Sequence, residues 1–185
     1  MALDELDLEV EVHLSSANWD EYQVLRPFFA SFSARDASDG ESGVGGMTGW
    51  IVWSMGHEDL ARAADSLSAD SAYIGGIAQR IVDELRKEDP FLEQALLLDR
   101  LWIDRPWRGK GLLRPMLDRL VDLLRLDVNG CVIVTEPEPQ REGGGPYPDG
   151  TLRDTAMNGL VRSLEAAGLE CYGQERAMWK LAARD

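Results

Sequence analysis

The 185-residue sequence contains few of the residues that build disulfide, metal or membrane proteins. Its two cysteines, Cys131 and Cys171, are too few for a disulfide framework, and each lies in an apolar run where we expect a small buried side chain. Only His13 and His57 could join them as ligands, and no spacing matches a metal site, so we predict no bound metal. No apolar run reaches the ~20 residues of a membrane-spanning helix, and the acidic, alternating N-terminus does not resemble a targeting peptide. These features predict a cytoplasmic protein.

Basic residues are also scarce, with 19 Lys and Arg against 33 Asp and Glu and a formal net charge of −14. The imbalance lies in the first half of the chain, because residues 1–100 hold 20 acidic and 7 basic side chains and residues 101–185 hold 13 and 12. Such a surface repels nucleic acid and anionic membranes, so neither is expected as a partner. It would attract a cationic amine, although a need for solubility explains the acidity equally well.

The most informative stretch of the sequence is Leu96–Leu124. The alternating residues of Ala95–Ile103 predict a strand, and a basic turn with two glycines follows at Arg105–Gly111. An amphipathic helix then begins, with apolar residues at helical spacing: Leu112, Leu113, Met116, Leu117, Leu120, Val121, Leu123 and Leu124. The unit is therefore predicted to be a strand, a Gly-x-Gly turn and a helix.

The turn has the chemistry of an anion site. Amide N–H groups in the first turn of a helix have no internal partner, and the helix dipole leaves partial positive charge there. Gly109 and Gly111 have no Cβ, so the oxygens of an anion can approach the backbone closely, and Arg108 and Lys110 add formal positive charge. We predict that this turn binds a phosphate or pyrophosphate group. A turn that only redirects the chain, or one that binds a nucleotide, is the alternative.

The longer string LDRLWIDRPWRGKGL, from Leu98 to Leu112, resembles the acetyl-CoA signature of the GCN5-related N-acetyltransferase (GNAT) family. In that family a strand leads through a short turn to R-G-x-G and a helix, and a looser resemblance extends over Ala95–Leu181. The sequence differs at Pro106, where the family usually has Gln or Arg, and at Leu113, where it usually has Gly or Ala. Neither difference removes the backbone donors of the turn.

The resemblance implies a fold and an acetyl-CoA site. The expected fold is a single α/β domain over residues 1–185, with a mixed, mostly antiparallel central sheet that is splayed at the cofactor strand and has helices on both faces. Residues 1–91 would form an acceptor-side half that diverges from the family, and residues 92–185 the acetyl-CoA-binding half. The implied acetyl-CoA contacts are Leu101, Trp102, Ile103, Arg108, Gly109, Lys110, Gly111, Leu112 and Leu113.

The resemblance also suggests catalytic residues. The general base of the family often occupies one of two positions on the cofactor strand, which are Leu97 and Asp99 in this sequence. Leu97 cannot act as a base. Strand alternation would place Asp99 on one face with Leu101 and Ile103, where burial would raise its pKa, although pairing of Asp99 with a nearby arginine explains its presence equally well.

Four further side chains are candidates for proton transfer. Glu136, just after the next predicted strand, is the second choice for the base. The position of the usual acid of the family, a tyrosine, is Leu164 here, so Tyr147 in the proline- and glycine-rich loop Glu136–Gly150 could replace it, as could Tyr172. His57, between a predicted strand and helix, is a candidate base or a solvated capping residue.

The remaining elements follow from periodicity and turn residues. Two antiparallel strands are expected at the C-terminus, and helices are expected where the family has some of its early strands. The predicted strands are Leu6–Leu14, Trp50–Met55, Cys131–Thr135, Glu170–Tyr172 and Ala177–Leu181; the predicted helices run from Ser16 or Asn18 to Phe32, Glu58–Leu67, Ser71–Lys87 and from Thr151 or Asp154 to Gly168; Ser33–Thr48 is predicted to be a loop. Within the first helix, Trp19, Tyr22 and Phe29 would either pack in the core or contact substrate.

Together these features predict an acyl-CoA-dependent N-acyltransferase that moves an acetyl group from acetyl-CoA to a primary amine of a cationic small molecule or peptide. The alternative is a non-catalytic module of the same fold that binds acyl-CoA or a protein partner, which Leu97 and the absent tyrosine favour. The sequence leaves the acceptor and the oligomeric state open, a homodimer included.

Overall fold

The computed structural model describes residues 7–15, 24–35, 41–54, 60–88, 91–141 and 145–182. It contains seven strands and four helices in these ranges. The strands are β1 (Asp7–Leu14), β2 (Arg26–Arg35), β3 (Glu41–Val52), β4 (Gln94–Ile103), β5 (Cys131–Thr135), β6 (Glu170–Cys171) and β7 (Met178–Leu181); the helices are α1 (Leu60–Asp65), α2 (Ala69–Leu85), α3 (Leu113–Leu123) and α4 (Thr151–Ala166). A short 3₁₀ turn, Arg105–Trp107, lies between β4 and α3.

The strands form one mixed sheet in the order β1-β2-β3-β4-β5-β7-β6. Its neighbouring strands are antiparallel except β4 and β5, which run parallel. A parallel pair needs a crossover, and the 3₁₀ turn and α3 supply it. The predicted α/β class with a mixed, mostly antiparallel sheet is therefore confirmed.

Hydrophobic cores lie on both faces of the sheet, and successive side chains of β4 contribute alternately to the two cores. Leu96 and Leu98 pack in a core with α3 and the buried end of α4, whereas Ala95 and Leu97 pack in a second core with α1 and α2. Each of these four side chains is fully buried, and complete burial of one leucine contributes about 1.5–3 kcal/mol. The expectation of helices on both faces is confirmed.

The helix predicted to end at Phe32 is wrong in its described part, since Arg26–Arg35 is a strand. Leu25, Phe28 and Phe32 are spaced as on a helix, but Phe28, Ala30, Phe32 and Ala34 also alternate, and all four are buried. Phe29 lies on the opposite face and is 42% exposed, so it does not pack in the core. Ser16–Tyr22, including Trp19 and Tyr22, lies outside the described residues.

The loop predicted over Ser33–Thr48 is also wrong, because its described residues belong to β2 and β3. Glycine weakens a strand unless a neighbour approaches the backbone closely, and two glycines of β3 meet this condition. A Cβ at Gly46 would collide with the Trp102 ring, and a Cβ at Gly49 would collide with the carbonyl oxygen of Leu97. The strand predicted at Trp50–Met55 is the end of β3, and Met55 lies outside the described part.

The two predicted helices before the cofactor strand are confirmed as α1 and α2. The Ser68 side chain caps α2 by accepting a hydrogen bond of 3.1 Å from the Ser71 amide. The two helices do not replace early strands, however. Three antiparallel strands precede β4, and the helices are inserted between β3 and β4. None of the described helices is long and apolar enough to cross a membrane.

Predictions for the C-terminal half and for β1 are confirmed in type and closely in position. Leu164 of α4 and Ala167, which follows this helix, are buried, and β6 and β7 form the predicted antiparallel pair. The two cysteines differ. Cys131 is buried, and burial raises the pKa of its thiol to about 12, whereas the prediction of a buried Cys171 is wrong because that residue is exposed.

Candidate functional site

The sheet opens where β4 loses its parallel neighbour. The pairing of β4 with β5 ends at Leu98 and Thr135, while β4 continues to Ile103 beside β3 alone. After Thr135 the chain turns away from the sheet into the segment that leads to α4. The last five residues of β4 therefore have one edge without a strand, and a cavity lies on either side of this edge.

The first cavity, which we call the apolar cavity, has a volume of about 370 Å³. It lies between the end of β4, the glycine turn, the segment after β5 and α4. Its lining residues are Leu101, Trp102, Ile103, Arg108, Gly109, Leu113, Pro139, Gln140, Tyr147, Ala156, Gly159, Leu160 and Ser163. Six of the nine predicted acetyl-CoA contacts and the predicted catalytic residue Tyr147 thus line one cavity.

The glycine turn has the backbone geometry that an anion site needs. Gly109 and Gly111 both have φ of +72°, in the left-handed region that glycine tolerates best. Within the described part of the chain, no hydrogen-bond acceptor is paired with the amide N–H groups of residues 109–113. A Cβ built on Gly109 would have no atom within 4 Å, so the space above this residue is open. Several amide donors are therefore available at the start of α3.

Lys110, Gly111 and Leu112 are the predicted cofactor residues that do not line the apolar cavity, whereas Arg108 beside them does. The Arg108 Nε donates a hydrogen bond of 2.8 Å to the Ile103 carbonyl oxygen, which connects the turn to the end of β4. The Lys110 ammonium lies 4.4 Å from the centre of the Trp107 ring, at cation–π distance. Leu112 is buried in the core with α3, while Lys110 and Gly111 are exposed at the turn.

The second cavity, which we call the charged cavity, has a volume of about 320 Å³. Four carboxylates and two guanidinium groups contribute to its walls. The lining residues are Asp70 and Ile74 of α2, Leu98, Asp99 and Arg100 of β4, Glu136, Glu138, Gln140 and Pro146 of the segment after β5, and Arg176 of the β6–β7 turn. The structure thereby brings together Asp99 and Glu136, the two carboxylates predicted as bases.

A β-bulge determines where Asp99 lies. Thr48 pairs with Arg100 and Gly49 with Leu98, so Asp99 is the extra residue on β4. The prediction that Asp99 shares a face with Leu101 is wrong, since Leu101 packs in the core with α3 and Asp99 lines the charged cavity beside α2. The bulge shifts the alternation by one residue.

Asp99 is both partly buried and close to an arginine, the two situations expected from the sequence. Burial raises the pKa of its carboxyl, the nearby Arg100 guanidinium opposes this, and the carboxylate of Asp70 raises it further. The contact between Asp99 Oδ2 and Arg100 Nε is 3.6 Å long. The net shift of the pKa is upward, so partial burial outweighs the arginine.

Glu136 has a similar environment. Its carboxylate forms an ion pair of 3.0 Å with Arg176 and is 22% exposed. Burial raises the pKa of Glu136, Arg176 lowers it, and Asp70 and Glu138 raise it, with a net upward direction. Asp70 therefore acts on both candidate bases in the same direction.

Several other candidates lie elsewhere. The Tyr172 hydroxyl donates to Glu84 at 3.1 Å and lines neither cavity, and Leu164 is fully buried in the core. His13 lies on an exposed strand face, 3.2 Å from Glu11, and His57 lies outside the described residues. In the ranges that the structure describes, no group of three or more His, Cys, Asp or Glu side chains could hold a metal ion.

Four residues that line the cavities were not predicted from the sequence: Asp70, Glu138, Gln140 and Arg176. Glu138 and Gln140 belong to the proline- and glycine-rich segment after β5, and loops of this length are often functional. Asp70 and Arg176 come from α2 and the β6–β7 turn, which are far apart in the sequence. No local pattern distinguishes these two from other surface charges, so only the folded arrangement identifies them.

Comparisons with known proteins do not assign a family. No family model, curated protein or solved structure matches the chain. The likeness of Leu98–Leu112 to the acetyl-CoA signature therefore stays a resemblance.

Proposed function

We propose that this protein is an acyl-CoA-dependent N-acyltransferase that transfers an acetyl group from acetyl-CoA to a primary amine of a cationic small molecule or peptide. The observation that carries the proposal is the pair of cavities on either side of the strand-free edge of β4. One has backbone donors for an anion in the glycine turn, and the other is lined by Asp99 and Glu136, two carboxylates of raised pKa. Two reactants could therefore meet at this edge.

The glycine turn suits the diphosphate of acetyl-CoA. The amides of residues 109–113 have no partner in the described structure, and the dipole of α3 adds partial positive charge at the same place. The left-handed glycines let phosphate oxygens approach to hydrogen-bonding distance. Arg108 and Lys110 supply two formal charges beside these amides.

The free edge of β4 suits the pantetheine arm of acetyl-CoA. A strand without a neighbour presents unpaired N–H and C=O groups, which an extended amide chain can satisfy as an added strand would. Such an arm would pass Leu101 and Ile103, and a backbone N–H near them would polarise the thioester carbonyl. The apolar side chains of α4 would cover the other side of the arm.

The charged cavity supplies the proton chemistry. The neutral amine nitrogen attacks the thioester carbonyl carbon, the C–S bond breaks, and the nitrogen loses one proton as the amide forms. Asp99 or Glu136 accepts that proton, and a raised pKa makes either carboxylate a stronger base than usual. The leaving thiolate needs a proton, for which Tyr147 is the candidate donor because it lines the apolar cavity.

The charge of the cavity favours a cationic acceptor. Four carboxylates face two guanidinium groups, and Asp70 repels both Asp99 and Glu136. A bound ammonium group would relieve this repulsion, so an acceptor with a second positive charge should bind better than a neutral amine.

Two measurements test the proposal. The first is a melting-temperature screen with CoA thioesters, ATP and NAD, in which CoA compounds should raise the melting temperature. The second is acetyl-CoA-dependent thiol release with polyamines, aminoglycosides and peptides. Stabilisation by nucleotides alone would indicate a nucleotide-binding protein, and CoA binding without turnover on any amine would indicate the non-catalytic module.

A further inference from the structure

Among the described residues, Gln140 is the one residue that lines both cavities. The reacting thioester carbon and the amine nitrogen must come within bonding distance of each other. If acetyl-CoA occupies the apolar cavity and the amine enters the charged one, they can meet only where the cavities adjoin. Gln140 marks that place.

The backbone around Gln140 is held in a fixed position. Gln140 forms an isolated antiparallel bridge with Pro146, and the Arg141 amide donates to the Gly145 carbonyl at 2.9 Å. Glu138, two residues earlier, forms an ion pair of 2.8 Å with Arg153 of α4. The segment is therefore attached both to itself and to α4, so the side chain of Gln140 extends from a supported backbone.

The hydrogen bond of the carboxamide determines its orientation. The Gln140 Nε2 donates to the carbonyl oxygen of Glu138 at 3.2 Å. A carbonyl oxygen only accepts, so the atom of Gln140 that contacts it must be the nitrogen. The Oε1 atom then points away and has no donor in the described part of the structure. An unpaired amide oxygen in a half-buried side chain is an acceptor for an N–H group.

We infer that Gln140 positions the amine nitrogen of the acceptor at the junction of the cavities. Its Oε1 accepts one N–H of the amine, which turns the nitrogen lone pair toward the thioester carbon. The carboxamide takes no proton itself, since the proton released on amide formation goes to Asp99 or Glu136. This role rests on the proposed N-acyltransferase function and assigns to it a residue that orients the nucleophile.

Steady-state kinetics of three variants test this role, with spermidine as the probe amine. Gln140→Leu removes the acceptor atom at similar size, Gln140→Glu keeps an acceptor oxygen, and Gln174→Leu makes the same apolar change at an exposed residue outside both cavities. Gln140→Leu should lower kcat/KM for spermidine by about tenfold or more and leave KM for acetyl-CoA within about twofold. The kcat/KM of Gln140→Glu for spermidine should be at least about threefold higher than that of Gln140→Leu. Gln174→Leu should match the wild type.

The possible results separate this inference from the proposed function. If CoA compounds do not stabilise the wild type, or if no amine of the panel is acetylated, the proposed function fails and the role of Gln140 fails with it. If the wild type acetylates amines and Gln140→Leu has unchanged kcat/KM for the amine, only the role of Gln140 is wrong. A merely structural role would instead lower the melting temperature and raise KM for acetyl-CoA in Gln140→Leu, and this result would also overturn the inference.

Discussion

The apolar cavity takes most of its wall from one continuous stretch, the end of β4 through the start of α3, together with α4, whereas the charged cavity collects side chains from four separate parts of the chain. The first offers backbone amides and apolar contacts, and the second offers titratable side chains. We therefore expect ligand binding at the glycine turn to depend on backbone conformation, and the chemical step to depend on the charged side chains of the charged cavity. Variants that affect one cavity and leave the other unchanged therefore test whether the two have separate roles.

The largest effect is expected from Gly111→Asp. Gly111 has a φ of +72°, and a carboxylate there would face the diphosphate of acetyl-CoA. Repulsion at about 4 Å near a protein surface costs on the order of 4 kcal/mol, close to a thousandfold in Kd. The stabilisation of the protein by CoA should disappear in a melting-temperature assay.

The matched control for this variant is Gly173→Asp. Gly173 also has a left-handed φ, +58°, and a Cβ there would have no atom within 4 Å, but it lies in the β6–β7 turn and not in the glycine turn before α3. It should keep the full CoA response. Equal loss of that response in both variants would show that backbone strain, and not the charge at the turn, had been measured.

A smaller effect, confined to the chemical step, is expected from the two carboxylates of the charged cavity. Asp99→Asn or Glu136→Gln should lower kcat by about 100-fold at the residue that acts as the base. The melting-temperature shift with CoA should be retained, because neither side chain lines the apolar cavity. Rapid-quench or continuous thiol-release assays at saturating acetyl-CoA measure this, and full activity of the double variant would exclude a carboxylate base.

Tyr147→Phe should lower kcat by about tenfold if the tyrosine protonates the leaving thiolate. Tyr172→Phe is the control, because its hydroxyl contacts Glu84 and lies outside both cavities. Thiol release should fall in the first variant and be unchanged in the second. The opposite pattern would assign the acid to Tyr172.

The smallest effect is a shift of the pH profile, and the arginine variant that produces it identifies the base. The base must be deprotonated, so kcat/KM falls as the pH drops through its pKa, and a raised pKa moves this acid limb to higher pH. Arg176 lowers the pKa of Glu136, and Arg100 lowers that of Asp99. Arg176→Ala should therefore move the limb upward only if Glu136 is the base, and Arg100→Ala only if it is Asp99.

Asp70→Asn serves as the internal reference for that profile. Asp70 raises the pKa of both carboxylates, so its removal should move the acid limb to lower pH whichever residue is the base. These partly exposed charges should change the rate at neutral pH by no more than about threefold. An acid limb that none of the three variants moves would place the titrating group outside the charged cavity.

Local periodicity was sufficient to predict much of the fold. α3 and α4 were predicted correctly because each has the 3.6-residue period of a helix, and β4 was predicted at its correct place although the bulge at Asp99 interrupts its period of two. β2 was misread because Phe28 and Phe32 satisfy both periods, and only pairing with β1 and β3 selects the strand. β3 was misread because its glycines resemble a loop until Trp102 and the Leu97 carbonyl are seen against them.

The amino-acid sequence by itself determined the glycine turn and its flanking strand and helix, because neighbouring residues interact there through short-range backbone geometry. Tertiary structure alone decided the side of the sheet on which Asp99 lies, since the bulge opposite Thr48 and Gly49 depends on pairing with a distant strand. It also decided that Asp70, Glu136 and Arg176 share one cavity. Long-range packing brings these three residues together, and no local pattern in the sequence predicts that they are close.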